Sequence, residues 1–201
     1  MENVKSKYSV TELNKKDART YETSLNVPKF TLNDNKLTAA EIGTVMHLMM
    51  EKIDFTKAVS EGEAYIIKVA DMLLSNGNIN EIERKAISIS NIASFFINDI
   101  GKRAAGSNNL NKEKEFILLK KIDGADAIVQ GIIDCFFEED DGMVLVDYKN
   151  SYMGNISDEE IASRYSEQIK LYAEAVAEAT AKTVKEAYLY LFDTQKFVKM
   201  I

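Results

Sequence analysis

The sequence predicts an α/β fold in which a helical part precedes a mixed β-sheet flanked by helices. Three observations support this prediction: apolar residues recur at helical spacing after Thr38, short β-rich runs dominate the second half of the chain, and an amphipathic helix is predicted at residues 158–181. We expect a single domain made of a polar leader at residues 1–36, a helical part at 37–110 and a β-β-β-α-β core at 111–201.

The leader is polar and weakly periodic. Residues 9–13 could open a short helix, residues 27–30 are typical of an extended segment, and residues 33–35 favour a turn. A flexible leader is the alternative for this whole region.

Three helices are predicted in the helical part. Thr38 and Glu41 have the spacing of a capping box, and apolar residues then recur on one face. A second helix is predicted at residues 61–74, and a third from about residue 80 to residue 100, closed by Gly101.

The core is predicted from β-rich runs and one strong turn signal. The Asp-Gly pair at residues 141–142 is typical of a hairpin. The predicted elements are strands at residues 115–120, 127–137 and 143–148, the helix at 158–181 and a final strand at 183–192.

Composition narrows the class of protein. With 46% hydrophobic and 28% charged residues, the chain resembles soluble globular proteins. It lacks an apolar run of the roughly 18 residues that span a bilayer, and its N-terminus is unlike a signal peptide, so we expect a cytoplasmic protein. The net charge of −7 disfavours tight nucleic-acid binding by this chain alone, but hard divalent cations require acidic ligands.

The predicted hairpin carries the sharpest chemical signal. Asp134 interrupts an apolar strand, and Asp147 and Lys149 project from one face of the next strand. Carboxylates grouped in this way repel each other unless a cation compensates them, and oxygen ligands favour Mg²⁺ or Mn²⁺. The alternative is an ordinary ion pair between Asp147 and Lys149 on an exposed edge strand.

Three further residues are candidates, each with a structural alternative. His47 could complete a metal site or serve only as a structural residue on its helix. Gln168 and Tyr172 share one helix face and could contact phosphate or metal-bound water, or be incidental polar residues there. Cys135 alternates away from Asp134, which predicts a buried apolar role. The sequence contains no phosphate-binding Gly-Lys-Ser/Thr loop.

In their order along the chain, these motifs resemble the RecB-type nucleases of the PD-(D/E)XK superfamily, and among them the C-terminal nuclease domains of AddA-type helicase–nuclease subunits. The resemblance covers most of the chain and is weakest at residues 55–110. The motifs are Gly43-Thr44 with His47, Gly131 to Asp134, Asp147-Tyr148-Lys149, and Gln168 with Tyr172.

The resemblance implies a restriction-endonuclease-like core and a role for each motif residue. His47, Asp134, Asp147 and the main-chain carbonyl of Tyr148 would bind Mg²⁺, or Mn²⁺ in its place. Asp134 and Asp147 would also act in catalysis, together with Lys149 as the catalytic lysine and Gln168 and Tyr172 as supporting residues. Family members commonly have threonine where this chain has Asn150, a departure that affects a supporting hydrogen bond rather than a ligand.

The resemblance also implies a function in a larger machine. The expected activity is exonucleolytic hydrolysis of DNA within a helicase–nuclease that serves double-strand break repair and recombination. The expected partners are single-stranded DNA delivered by a helicase motor and an AddB-like subunit, so this chain would be one part of a longer subunit. A single cysteine argues against an iron–sulfur cluster and the Cas4-like branch. The alternatives are a non-cleaving DNA- or partner-binding module and a stand-alone phage or repair exonuclease.

Overall fold

The computed structural model describes residues 7–10, 12–13, 37–122, 124–150 and 156–201. Helices precede the predicted β-β-β-α-β series, and the structure adds one strand before these helices and one strand after the series. In chain order the elements are β1 (Lys7–Ser9), α1 (Ala39–Lys52), α2 (Phe55–Glu61), α3 (Glu63–Ser75), α4 (Glu81–Ala86), α5 (Ile89–Ile97), α6 (Asp99–Gly106), β2 (Leu110–Ile122), β3 (Ala125–Glu139), β4 (Gly142–Lys149), α7 (Asp158–Thr180), β5 (Val184–Leu191) and β6 (Lys196–Lys199).

Most of the predicted leader lies outside the described residues, including the extended segment at 27–30 and the turn at 33–35. Within it, strand β1 pairs with β3 and buries Tyr8. The main-chain N–H of Ser9 donates to Glu12 Oε2 at 2.9 Å, and the N–H of Glu12 donates to Ser9 Oγ at 3.2 Å. These two reciprocal hydrogen bonds form a capping box, which starts a helix and agrees with the short helix predicted at residues 9–13.

Helix α1 begins at the predicted capping box, because Thr38 Oγ1 accepts from the N–H of Glu41 at 3.2 Å. The predicted helix over residues 61–74 is confirmed as α3, which begins two residues later because Gly62 adopts φ +62° and separates it from α2. None of the helices in the described ranges is both long and apolar enough to cross a membrane.

The prediction of one long helix from residue 80 to residue 100 is wrong. The chain forms α4, α5 and α6, because the backbone is extended at Ile87 and Asn98. Gly101 lies inside α6 and does not close a helix. A Cβ at Gly101 would stand 2.1 Å from Phe95 O, so the glycine allows α6 to pack closely on α5.

The sheet is mixed, and β3 is its longest strand. Strand order is β1-β3-β4-β5-β6, with β2 pairing along the other side of β3. The first half of β3 pairs with β1 in parallel and its second half with β4 in antiparallel orientation. Strands β4 and β5 are parallel, and α7 connects them as a crossover helix.

The predicted Asp141-Gly142 hairpin is confirmed between β3 and β4. Strand β2 is longer than predicted because its polar first residues hide it from an apolar pattern. The predicted final strand is not the last one: β6 folds back on β5 through a turn in which Gln195 has φ +55°. Four residues with lysine at both ends give β6 almost no sequence signal.

Two apolar cores lie on opposite faces of the sheet. The first packs helices α1, α3, α5 and α6 against β4 and β5, and contains an aromatic group around Phe95, Tyr148, Tyr190 and Phe192. The second packs α7 against β3, β4 and β5. Burial of both cores accounts for most of the favourable free energy of folding, because it removes apolar side chains from water.

Lys112 ties the end of α1 to β2. Its Nζ donates to the carbonyl oxygens of Glu51 and Ile53, each at 2.6 Å, and lies 4.9 Å from the centre of the Phe55 ring. These carbonyls lack helical partners, so a lysine side chain takes the role of a C-cap.

We predict that Lys112→Met lowers the free energy of unfolding by about 2 kcal/mol, because charge-assisted hydrogen bonds to helix-end carbonyls are lost. Urea denaturation measures the change. The matched control is Lys114→Met on the same strand, where the side chain is exposed and the expected change is near zero. Equal stability of the two variants would contradict this role for Lys112.

Arg103 of α6 connects the helical part to the sheet. Its Nε donates to Glu139 Oε1 at 2.8 Å, and its Nη2 donates to Glu186 Oε2 at 2.7 Å. The guanidinium lowers the pKa of Glu139 to about 2, and the Lys185 ammonium contributes. The ionised Glu139 therefore stabilises the fold above its unfolded pKa, about 4.3, and this stabilisation is lost as pH falls towards 2.

We predict that Glu139→Gln loses less stability than the parent protein between pH 5 and about 2. Thermal melts across that interval test this prediction, with Glu178→Gln on the exposed side of α7 as control. The same slope in the parent and in Glu139→Gln would show that the Arg103 ion pair is not linked to folding.

Candidate active site

The candidate residues meet where the two cores adjoin, at an irregularity between β2 and β3. Ile133 packs in the second core and Cys135 in the first, although a regular strand would place both on one face. The paired positions skip Glu113 and Asp134, and Glu113 has φ +47°. Such strained backbone is frequent at functional sites, where surrounding structure holds it in place.

Asp134 is 7% exposed and is held by two neighbours. Its Oδ2 accepts from the main-chain N–H of Tyr148 at 2.7 Å, across the hairpin. Its Oδ1 lies 3.3 Å from His47 Nδ1. The hairpin therefore brings Asp134 next to the segment at residues 147–149, as predicted.

His47 stands on α1, and its ring meets the Tyr148 ring edge to face, with centroids 5.7 Å apart. Burial by itself lowers the pKa of His47, but the neighbouring carboxylates of Asp134, Glu113 and Asp147 outweigh this effect and raise the pKa to about 10. The structure thus brings the predicted histidine into a carboxylate cluster that favours a positive charge.

Asp147 and Lys149 project to the same side of β4, as their spacing predicts, and they form an ion pair with 2.6 Å between Oδ2 and Nζ. The pair is not on an exposed strand, because Asp147 is 1% exposed. Burial raises the pKa of Asp147 above its usual value, against the effect of Lys149. Burial by itself lowers the pKa of Lys149, but the charges of Asp147 and Asp134 outweigh burial, and the pKa lies above the usual value for lysine. The lysine is therefore an ammonium ion at neutral pH.

Gln168 and Tyr172 reach the site from α7. Gln168 Nε2 donates to Asp147 Oδ1 at 3.3 Å and to the Tyr172 hydroxyl at 2.9 Å. Gly131 explains part of this placement, because a Cβ there would stand 2.9 Å from the Phe116 ring, which packs edge to face on Tyr172. The structure therefore joins both predicted α7 residues to Asp147.

Glu113 is a site residue that sequence reasoning missed. Ligand atoms of His47, Glu113 and Asp134 all lie within 4.8 Å of one another. Glu113 Oε1 is buried and has no hydrogen-bond partner among the described residues, although His47 Nδ1 lies 3.8 Å away. The pairing register of β2 and β3 could have revealed Glu113. If β2 is taken to begin before residue 115, Glu113 falls opposite Asp134.

These residues fit a divalent cation. Two carboxylates and an imidazole converge, and one buried carboxylate oxygen is left for a further partner. Asp147 lies outside this closest group, with one oxygen against Lys149. The N–H of Tyr148 donates to Asp134, and the carbonyl of Tyr148 stays a predicted ligand.

A cleft of about 560 Å³ lies beside α1. The lining residues are Ala40, Gly43, Thr44, His47, Leu48, Glu51 and Glu113. Two residues of the candidate ligand group, His47 and Glu113, therefore border an open cleft, whereas Asp134 is not among the lining residues.

Comparison with known proteins bears on the family to which this chain is related. The model of the PD-(D/E)XK nuclease superfamily matches residues 19–200. An ATP-dependent helicase/nuclease subunit from Alkaliphilus metalliredigens (strain QYMF) is 39% identical over 187 residues, which cover 88% of this chain and 16% of that protein. The subunit of the same name from Clostridium botulinum (strain Langeland / NCTC 10281 / Type F) is 39% identical over 188 residues, covering 88% of this chain and 14% of that protein.

The chain thus spans only 14% to 16% of the length of these two relatives. Among solved structures, that of SSO0001 aligns with 94% of this chain and 73% of its own, at a TM-score of 0.34 and 10% identity, which is too distant to inform the fold. The sequence matches confirm the resemblance that the motif order indicates, and with it the predicted mixed sheet flanked by helices.

We predict that Glu113→Gln weakens Mn²⁺ binding about tenfold or more, because it removes one charged oxygen ligand without changing side-chain size. Isothermal titration calorimetry measures the dissociation constant. The control is Glu115→Gln, an exposed carboxylate on the same strand. Unchanged Mn²⁺ affinity in Glu113→Gln would exclude Glu113 from the metal site.

Proposed function

Because this chain belongs to the PD-(D/E)XK nuclease superfamily, we propose that it is the metal-dependent, DNA-cleaving part of a helicase–nuclease. The observation that carries the proposal is the convergence of Asp134, Asp147 and Lys149 at one end of the β3–β4 hairpin, beside His47 and Glu113. A buried cluster of charged side chains is costly to fold, and such clusters are concentrated at binding and catalytic sites.

The cation would be Mg²⁺, with Mn²⁺ as a substitute. Its ligands would come from His47, Glu113, Asp134, Asp147 and the carbonyl of Tyr148. When bound, the ion would supply Lewis-acid activation of the scissile phosphate and lower the pKa of a water molecule. His47 would bind as a neutral imidazole, so it would release the proton that Asp134 and Glu113 stabilise in the metal-free protein.

Lys149 would act through its positive charge. Asp147 holds its Nζ at 2.6 Å, and the neighbouring carboxylates keep it protonated. An ammonium ion can orient a nucleophilic water through its N–H groups and stabilise the negative charge that develops on the phosphate oxygens. Gln168 would hold the second oxygen of Asp147, and Tyr172 would in turn hold Gln168.

The partners follow from the relatives. They are subunits of ATP-dependent helicase/nucleases and are far longer than this chain. We therefore propose that a helicase motor delivers single-stranded DNA to this site, that an AddB-like subunit completes the machine, and that it serves recombination and repair of double-strand breaks. The net charge of −7 supports delivery by a partner, since this chain offers little net attraction for phosphate.

The same charge favours one alternative, a nuclease-fold module that binds a partner or DNA without cutting it. Calorimetry separates the two functions. The nuclease proposal requires that Mg²⁺ or Mn²⁺ binds at millimolar concentration or below. Absence of binding at millimolar metal would favour the non-cleaving module.

We predict metal-dependent cleavage of single-stranded DNA that falls on the order of a hundredfold or more in Asp147→Ala and in Lys149→Ala. Release of a labelled nucleotide with and without Mg²⁺ measures the rate. Lys170→Ala, which changes an exposed lysine on α7, is the control and should cut normally. Full activity in either site variant would overturn the assigned roles.

A further inference from the structure

We infer that Tyr165 is a positioning residue that holds the Lys149 ammonium at the reaction centre through the face of its ring. The inference rests on the proposed function, because Lys149 has a catalytic role only if the site cuts phosphodiester bonds. Tyr165 lies three residues before Gln168 and seven before Tyr172, so the three side chains share one face of α7.

The three residues contact different members of the Asp147–Lys149 ion pair. Gln168 and Tyr172 reach the Asp147 carboxylate, directly or through each other. Tyr165 reaches the other member of the ion pair: Lys149 Nζ lies 4.9 Å from the centre of the Tyr165 ring. Helix α7 therefore contacts both members of the Asp147–Lys149 pair, and Tyr165 makes the contact to the cation.

Burial makes the ring contact effective. The Lys149 side chain is 17% exposed, so water solvates its ammonium poorly. The attraction between an ammonium and an aromatic face strengthens when the ammonium is removed from water. Tyr165 itself is partly buried against the second core, which fixes the ring in place.

The ring has a function that Asp147 cannot provide alone. In the proposed mechanism the carboxylate of Asp147 is shared with a divalent cation, which weakens its attraction for Lys149 and repels the ammonium directly. Lysine has a flexible four-carbon stem, so its Nζ would otherwise move away. The Tyr165 ring attracts the ammonium without competing for the oxygens that bind the ion.

The interaction uses the ring and not the hydroxyl. Tyr165→Phe therefore keeps it, and Tyr165→Leu removes it while leaving an apolar side chain on the second core. The matched control is Tyr65→Leu in α3, where Lys57 Nζ lies 6.0 Å from a tyrosine ring outside the site. Tyr165→Met serves as a second variant if the leucine variant does not fold.

The kinetic experiment uses single-turnover cleavage of single-stranded DNA in Mg²⁺. We expect Tyr165→Leu to lower the maximal rate about tenfold with little change in the half-saturating DNA concentration, because a positioning interaction acts on the chemical step. Tyr165→Phe and Tyr65→Leu should stay within about twofold of the parent. A parent-like maximal rate in folded Tyr165→Leu, or an equal loss in Tyr165→Phe, overturns the inference.

A second readout does not depend on activity. Lysines are reductively dimethylated with ¹³C-formaldehyde and a borane reductant in the metal-free protein, and the Lys149 signal is identified by its loss in Lys149→Arg. We expect an upfield ring-current shift of the Lys149 methyl signal in the parent and in Tyr165→Phe, and its disappearance in Tyr165→Leu. Absence of the shift in the parent overturns the inference, whereas failure of the parent to cut DNA overturns the proposed function and leaves this contact to be judged by the spectrum.

Discussion

Two carboxylates, Asp134 and Asp147, are buried between two apolar cores, and the rest of the site depends on how their charge is compensated. Burying an ionised carboxylate costs several kcal/mol unless hydrogen bonds or opposite charges replace water. Three elements supply these partners: β4 gives the Tyr148 N–H and the Lys149 ammonium, α1 gives His47, and α7 gives Gln168. The helices around the sheet thus position counter-groups as well as cover apolar surface.

The irregularity at Glu113 and Asp134 shifts the alternation of side chains along β3. Ile133, before Asp134, packs in the core with α7, whereas Cys135, after it, packs in the core with the helical part. The side chains of Glu113 and Asp134 lie at this irregularity and belong to neither apolar core. Lys112, beside Glu113, anchors the end of α1, so the helix that carries His47 is attached to the strand that carries Glu113.

Sequence patterns predicted those parts of the structure that local chemistry determines. The capping box at Thr38, the Asp141-Gly142 hairpin and the periodic α7 were recoverable because each depends on residues close in the chain. The hairpin in turn brought Asp134 towards Asp147. Glu113 was not recoverable in this way, because its role depends on pairing across a long hairpin and on a positive φ that an alternation pattern cannot show. The breaks at Ile87 and Asn98 were missed because the backbone becomes extended there without a proline or glycine to indicate it.

The long β2–β3 hairpin constrains which insertions the sequence can accept during evolution. Glu113 and Asp134 face each other across a turn at Gly124, so the chain between them is divided into two arms of matched length. A single residue inserted into one arm would slide every later pair and remove Glu113 from its position opposite Asp134. A matched pair added at the turn would lengthen the hairpin and leave the site untouched. The two arms can therefore change length together at the turn, while Glu113 and Asp134 stay opposite each other at the base of the hairpin.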